Sequence, residues 1–369
     1  MRNTYIDDWN LIKERFEFWW KCEKTAGGKF GNRPMMRIVA RGNNRALTAE
    51  KPEKPKEPKD MFLDVKNNLL GYRHFCNSRF FLAEAFPAVD LNLGPGSMAL
   101  YLGGEPEFAW DTLWYKEKCE SPAEFRDLHY DENNFWWITH RNMIKEAVEL
   151  SNGDFYVTIP DIVENVDILS ALRGPQNLCY DVADDFDAVA EGVKVIDSVY
   201  FKYYDAFYGM VKDEDDSCSY TAFKILGSGK TAKVQCDFCA LISPEMFREI
   251  VQPSLAKQCS VLDHSLYHLD GPDAIKHVPA LMEIKELDAL QWTCGAGKPD
   301  GTCEDWYPIY DQVIEAGKGL WISIEDGSPQ DWANGAEKLV KRYGAKNLYL
   351  LFPEFSDLAQ AKKMIAFFE

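Results

Sequence analysis

The last hundred residues repeat one pattern four times, a short apolar run followed by an amphipathic stretch. The apolar runs are residues 265–268, 288–292, 318–324 and 346–352, and the amphipathic stretches are 272–284, 304–316, 328–343 and 356–368. Strands spaced roughly 25–30 residues apart, each followed by a helix, run parallel, because a crossover helix returns the chain to the same end of the sheet. This pattern therefore predicts an α/β fold with a parallel sheet.

Earlier apolar runs supply the remaining strands of a closed barrel. They lie at residues 89–91, 155–159, 220–226 and 232–238. We predict one distorted (β/α)8 TIM barrel over residues 1–369, with an N-terminal helical extension at 8–24 and a Lys/Pro/Glu-rich surface loop at 48–60. A doubly wound open sheet is the alternative, but neither Gly-x-Gly-x-x-Gly nor Gly-x4-Gly-Lys-Ser/Thr follows a strand.

Composition excludes two classes of partner. The net charge of −18 argues against nucleic acid, since phosphate backbones are bound by clustered cations. No apolar run approaches the ~20 residues that a membrane span needs. The N-terminus lacks the apolar core of a secretory signal, so we expect a cytoplasmic protein whose ten cysteines are reduced.

Polar side chains follow many of these strands, and chemistry in a β/α barrel takes place at the C-terminal strand ends. The residues found there are Asp90, Asp161, Asp237, His268, Asp270, Gln291, Cys294, Glu325, Asp326 and Glu354. His268 and Asp270 share one strand face, and Gly271 permits close backbone approach. Such a carboxylate cluster with an imidazole can bind a divalent cation or keep one carboxyl protonated as an acid. The alternative is that these carboxylates cap helices.

Four segments carry a resemblance to a known superfamily. They are Tyr267-His268-Leu269-Asp270-Gly271, Leu287-Asp288-Ala289-Leu290-Gln291-Trp292, Leu172-Arg173-Gly174 and Ile242-Ser243-Pro244-Glu245-Met246-Phe247. Together they resemble the uroporphyrinogen decarboxylase superfamily, with the best match over residues 85–369. The resemblance implies a single β/α barrel and covers both the decarboxylases of haem synthesis and the corrinoid-linked methyltransferases of anaerobes.

The resemblance leaves two enzyme branches to compare. The decarboxylases bind substrate carboxylates with Arg-x-x-x-Arg and contact pyrrole nitrogens with an aspartate, which here correspond to Arg37, Arg41 and Asp90. Their glycine-rich N-terminal context and late histidine segment are missing. The thiol-methylating branch holds zinc with His-x-Cys and a late cysteine, where this chain has His268-x-Asp270 and Glu354. An oxygen-rich set activates a thiol poorly, which favours an O-demethylase that passes a methyl group to a corrinoid.

The roles that follow are expectations from this resemblance and from the strand ends. Catalytic roles fall to His268, Asp270, Asp90 and Asp237, substrate binding to Arg37, Arg41, Asp161, Gln291, Trp292 and Cys294, and metal binding to His268, Asp270 and Glu354. The expected partners are a small methylated substrate, a methoxylated aromatic compound, and a separate corrinoid-binding protein. The expected cofactor is the corrinoid on that partner protein, and a divalent metal such as zinc is a further candidate. Whether the chain forms a homodimer is left open. The alternatives are a decarboxylase of a tetrapyrrole or smaller acid and a non-catalytic barrel that binds a corrinoid or tetrapyrrole.

Overall fold

The computed structural model describes residues 1–22, 33–44, 51–220 and 222–369. The strands are β1 Met35–Arg41, β2 Arg79–Ala83, β3 Ala88–Val89, β4 Glu105–Phe108, β5 Leu113–Lys116, β6 Tyr156–Val157, β7 Ser217–Tyr220, β8 Ile225–Ser228, β9 Thr231–Gln235, β10 His264–Asp270, β11 Ala289–Thr293, β12 Gly319–Ser323 and β13 Leu348–Leu351. Residues 48–50 of the predicted surface loop lie outside the described residues.

From β9 onward, each strand of the central sheet is separated from the next by one or more helices. The α-helices are α1 Trp9–Trp20, α2 Asp60–Leu63, α3 Val65–Asn77, α4 Met98–Tyr101, α5 Phe135–Ser151, α6 Asn165–Arg173, α7 Pro175–Asp184, α8 Phe186–Val211, α9 Pro244–Met246, α10 Gln252–Cys259, α11 Val278–Met282, α12 Tyr307–Glu315, α13 Pro329–Tyr343 and α14 Leu358–Phe368. The predicted 272–284 helix begins as a 3-10 turn, Pro272–His277, before α11. Ser328 caps α13 with a full capping box, as a serine before Pro329 predicts.

The central sheet has seven strands in the order β2-β1-β13-β12-β11-β10-β9. Six of them, β9 to β13 and β1, are parallel neighbours, and β2 pairs antiparallel with β1. The four β/α units predicted near the C-terminus are therefore present and adjacent. Their C-terminal ends lie along one edge, which brings His268, Asp270 and Gln291 to the same region.

The predicted ring of eight strands is not closed by backbone pairing among the described residues. Strands β3 and β6 form a separate parallel pair, and the second edge of β1 is occupied by β2 instead of β3. At the other end of the sheet, side chains replace a strand partner: Glu164 accepts the Gln235 backbone N–H, and Asn165 Nδ2 donates to the Gln235 carbonyl over 2.8 Å. The result is an open, barrel-like α/β fold.

The predicted strand at 220–226 is wrong. The chain there forms a hairpin of β7 and β8, whose four paired positions run from Ser217 opposite Ser228 to Tyr220 opposite Ile225. A strand cannot continue through the turn, because Lys224 adopts a left-handed conformation with φ of 55°. The hairpin tip carries Phe223 and Lys224, and Trp321 Nε1 fixes the tip by donating to the Phe223 carbonyl over 2.7 Å.

Helix α1, the predicted N-terminal extension, lies across the N-terminal end of the sheet. The Trp20 ring stacks on His264 at the start of β10 with centroids 5.0 Å apart, and the Trp19 ring contacts Tyr349 of β13 at 5.5 Å. Trp20 Nε1 also donates to the Leu226 carbonyl. Because α1 covers this end, the C-terminal strand ends remain as the accessible face.

Buried apolar side chains form one continuous cluster that runs from Tyr5 to Met364. All ten cysteines are described, and none forms a disulfide. Among the described residues, no helix is both long enough and apolar enough to cross a membrane.

The described part of the charged loop, residues 51–59, has mostly exposed side chains, and it is attached to α3. Asn67 bonds the Glu53 backbone twice, accepting its N–H over 2.7 Å and donating to its carbonyl over 2.9 Å. We expect trypsin to cut first after Lys56 or Lys59, because prolines follow the other two lysines of this segment. Asn67→Ala should accelerate the cut, as followed by mass spectrometry. First cleavage elsewhere, with 51–59 protected, would contradict the prediction.

Candidate functional site

Three side chains meet at the C-terminal ends of β9 and β10. Asp237, His268 and Asp270 each offer one ligand atom, and these atoms lie within 4.8 Å of one another. His268 and Asp270 are two residues apart in β10 and therefore share a face, while Asp237 opens the 3-10 turn that follows β9. This group, which we call the Asp–His–Asp cluster, joins three residues that the sequence predicted as catalytic.

The neighbouring strand orients the imidazole of His268. His268 pairs with Gln291 across β10 and β11, and its Nδ1 lies in hydrogen-bond contact with Gln291 Oε1. Gln291 Nε2 in turn donates to Thr293 Oγ1 over 2.8 Å. An amide oxygen only accepts, so Nδ1 carries the proton and Nε2 keeps its lone pair. Burial lowers the pKa of His268, and the positive charge of Lys233 lowers it further, so the ring is neutral near pH 7.

The carboxyl groups of Asp237 and Asp167 accept hydrogen bonds from the same side chain, that of Gln235. Gln235 Nε2 donates to both carboxylates over 2.9 Å, and Asp167 also accepts the backbone N–H of Asp237 and of Phe238. Although Asp237 is exposed as a whole, partial desolvation of its carboxyl, together with the negative charge of Asp167, raises the pKa of Asp237 to about 7. Two carboxyl groups this close resist ionising together, which suits a site for a proton or a cation.

Lys233 is a buried lysine in β9, the strand that precedes Asp237. The Lys233 side chain is fully buried, and its Nζ lies 2.8 Å from Asp161 Oδ1, which also accepts from Tyr220 O–H over 2.6 Å. Asp161 was predicted from the sequence as a site residue, whereas Lys233, Tyr220 and Gln235 were not. Lys233 and Gln235 are two residues apart in β9, and this period of two was the signal that they share the strand face that leads to Asp237.

The hairpin tip covers the imidazole. The Phe223 ring lies 4.9 Å from the His268 ring and 6.1 Å from the Trp321 ring. The ammonium of Lys233 lies 5.9 Å from the ring centroids of both Phe223 and Tyr220. His268 therefore has an aromatic wall on one side and polar ligands on the other.

Other predicted residues lie apart from the Asp–His–Asp cluster. Glu354, predicted as a metal ligand, has its two oxygens in ion pairs with Arg41 and Arg79, and the Arg41 side chain is exposed. Trp292 points to the opposite strand face from Gln291, and its ring packs 5.1 Å from Trp306.

Three further predicted residues occupy other surroundings. The half-buried Cys294 follows β11, where burial and the negative charge of Asp300 raise its pKa to about 12. Arg37 and Asp90 line a separate cavity of about 330 Å³. Burial raises the pKa of Asp90 to about 6.

An open groove borders the cluster at Asp237. It has a volume of about 600 Å³, reaches Gln235 and Asp237, and includes the exposed Trp114 and Leu241 in its lining. A groove of this size admits a small organic molecule.

Glu164 gives a pH-dependent prediction. Burial raises its pKa to about 8 from an ordinary value of 4.5. Between these values the folded protein holds a proton that the unfolded chain releases, so stability falls as pH rises, by up to ~1.4 kcal/mol per pH unit. Glu164→Gln should flatten this fall between pH 5 and 8 in urea unfolding, and Glu149→Gln, at an exposed position, should not. An unchanged slope in Glu164→Gln would refute the prediction.

These features describe an α/β protein with a parallel sheet and a polar cluster at its C-terminal strand ends, a TIM-barrel-like arrangement. No protein-family model and no curated protein matches the sequence. Its structure is similar to that of a methyltransferase from Methanosarcina mazei, with a TM-score of 0.61 and 13% sequence identity over 97% of this chain and 98% of that chain. At that identity the similarity establishes a shared fold.

Proposed function

We propose that the chain is a methyltransferase of the uroporphyrinogen decarboxylase superfamily, which takes a methyl group from a small methoxylated aromatic substrate and passes it to the cobalt of a separate corrinoid protein. The Asp–His–Asp cluster is the observation that carries the proposal, because it brings one imidazole and two carboxyl groups together, and one of these carboxyl groups, that of Asp237, lines the groove. The fold shared with a methyltransferase of Methanosarcina mazei supports methyl transfer as the reaction class.

Breaking an aryl methyl ether leaves the bonding electron pair on oxygen, and that oxygen needs a proton or a Lewis acid. The residues of the cluster suit both roles. His268 Nε2 has a free lone pair while Nδ1 is fixed by Gln291, which is the usual arrangement of a metal-bound histidine. Asp237 and Asp270 complete an N/O₂ donor set that fits a divalent ion such as zinc, which supplies Lewis acidity when bound.

The chain's own residues have distinct tasks in this proposal. Gln291 orients the imidazole, and Gln235 holds the carboxyl of Asp237 next to that of Asp167. Phe223 and Trp321 provide an apolar wall that an aromatic ring can contact beside His268.

A decarboxylase is the second candidate, favoured by the position of Arg37 and Asp90 in one cavity. The second predicted arginine does not join them, since Arg41 pairs with Glu354. A substrate with many carboxylates would therefore find fewer cations here than the Arg-x-x-x-Arg pattern suggests.

The test separates these two functions. The purified protein, supplied with zinc, is incubated with cobalamin reduced to the cob(I) state and with 2-methoxyphenol or 3-methoxybenzoate. We expect the absorbance spectrum of methylcobalamin to appear and the free phenol to be released in equal amount. A parallel incubation with uroporphyrinogen should release no carbon dioxide. Carbon dioxide release without methyl transfer would replace the proposal with the decarboxylase.

A further inference from the structure

A second cavity, distinct from the groove, lies between β1, β3 and α3. Its volume is about 330 Å³, and its wall contains two cations, Arg37 and Lys224, one carboxylate, Asp90, and four aromatic rings. The cavity lies where β1 and β3 do not pair with each other, because Arg37 belongs to β1 and Asp90 directly follows β3. A cavity of this size accepts a small ligand.

The charges of this cavity are not balanced within the described part of the chain. Neither the Arg37 guanidinium nor the Lys224 ammonium forms a side-chain hydrogen bond or ion pair with a described residue. Asp90 accepts from Asn92 Nδ2 at Oδ2 over 2.8 Å, while its buried Oδ1 has no partner. Two cations thus face one carboxylate, which leaves a formal excess of one positive charge.

This excess is unusual for the protein. The chain has a net charge of −18, and the other arginines on or beside β1 have acidic partners: Arg33 pairs with Glu84, and Arg41 pairs with Glu354. Cations withdrawn from water are costly unless they are paired. The repulsion is visible at Lys224, where burial and the charge of Arg37 lower the pKa to about 8 despite the opposing effect of the Asp90 carboxylate.

We infer that the cavity binds a small aromatic monocarboxylic acid, with its carboxylate between Arg37 and Lys224 and its ring against the aromatic wall. A guanidinium binds a carboxylate through two parallel hydrogen bonds, and an ammonium adds a third donor. One carboxylate neutralises the excess charge, whereas a second would face Asp90. The four aromatic rings provide the flat apolar surface that an aromatic body needs.

Another cavity adjoins this site on the side of α2 and α3. A neighbouring cavity of about 390 Å³ shares Tyr72, Phe75, Val89 and Asp90 with it and extends to Met61 of α2. A ligand can therefore approach from the side of α2 and α3. The inference does not depend on methyl transfer, because it rests only on the charges and shape of this cavity.

Isothermal titration with benzoate tests the inference, with benzamide as the neutral analogue and acetate as the ligand without a ring. We expect benzoate to bind more tightly than both, and Arg37→Met and Lys224→Met to weaken it by about tenfold or more. Lys66→Met, at an exposed position on α3, should leave binding unchanged. Asp90→Asn should tighten benzoate binding, since it removes the opposing charge.

Several results would overturn the inference. Equal binding of benzamide and benzoate would remove the role of the cations, and equal binding of acetate and benzoate would remove the role of the rings. Absence of benzoate binding to both the unmodified protein and Asp90→Asn would remove the site. Circular dichroism of each variant shows whether it is folded, and Asp90→Asn predicts a gain that misfolding does not produce.

Discussion

Replacing His268 with alanine is expected to lower the rate of methyl transfer to cob(I)alamin by at least about 100-fold, the low end of what one acid–base group contributes. The substitution removes the imidazole from the Asp–His–Asp cluster and leaves Gln291 without its partner. Asp270→Asn should have an effect of similar size, because it keeps the shape of the side chain and removes its charge. The measurement is the initial rate of methylcobalamin formation per folded molecule.

Matched controls separate chemistry from folding. His129→Ala removes an exposed imidazole, and Asp273→Asn removes an exposed carboxylate three residues beyond Asp270. Both should retain nearly full activity. Bound zinc, measured on the purified proteins, should fall in His268→Ala and remain in His129→Ala. Lower stability of His268→Ala with an unchanged rate per folded molecule would show that the imidazole is structural.

Replacing Glu84 with alanine is expected to destabilise the fold by about 3–5 kcal/mol. Glu84 is 2% exposed, and its oxygens accept from Arg15 Nε at 3.0 Å, Arg33 Nη2 at 2.6 Å and the Met36 backbone N–H at 2.7 Å. Its loss leaves two arginines, one of them buried, without this carboxylate, and removes a backbone partner at β1.

Urea unfolding at pH 7 measures this effect. Glu84→Gln should cost less than Glu84→Ala, because the amide oxygen can still accept from Met36 N–H. The exposed pair of Glu191 and Lys194 supplies the comparison, and Glu191→Ala should change stability by less than about 1 kcal/mol. Equal destabilisation by Glu84→Ala and Glu191→Ala would refute the importance of the buried network.

The elements that depend on a local sequence pattern were predicted from the sequence. The strands around 265–268, 288–292, 318–324 and 346–352 are present because apolar periodicity within a short window determines them. The hairpin at 217–228 was not predicted, because a tight turn at Lys224 interrupts what reads as one apolar run. The left-handed backbone of Lys224 is not indicated by the residue type at that position.

Site residues could be predicted where their position at a strand end determines where they lie. They could not be predicted where an ion pair with a residue distant in the sequence determines it. His268, Asp270 and Asp237 meet because neighbouring parallel strands align their ends. Glu354 also follows a strand, but Arg41 and Arg79 take its carboxylate, and Arg79 is 275 residues away in the chain. Lys233 was missed because a lysine inside a strand ordinarily faces water.

Two adjacent residues at the tip of one hairpin contact two different sites. Phe223 contacts the imidazole of the Asp–His–Asp cluster, and Lys224 lines the cavity that holds Arg37. Their shared turn is fixed by Trp321 and by Tyr349, whose O–H donates to the Lys224 carbonyl. We therefore expect substitutions at the two sites to be energetically coupled through this turn, so that their effects on stability and binding do not add.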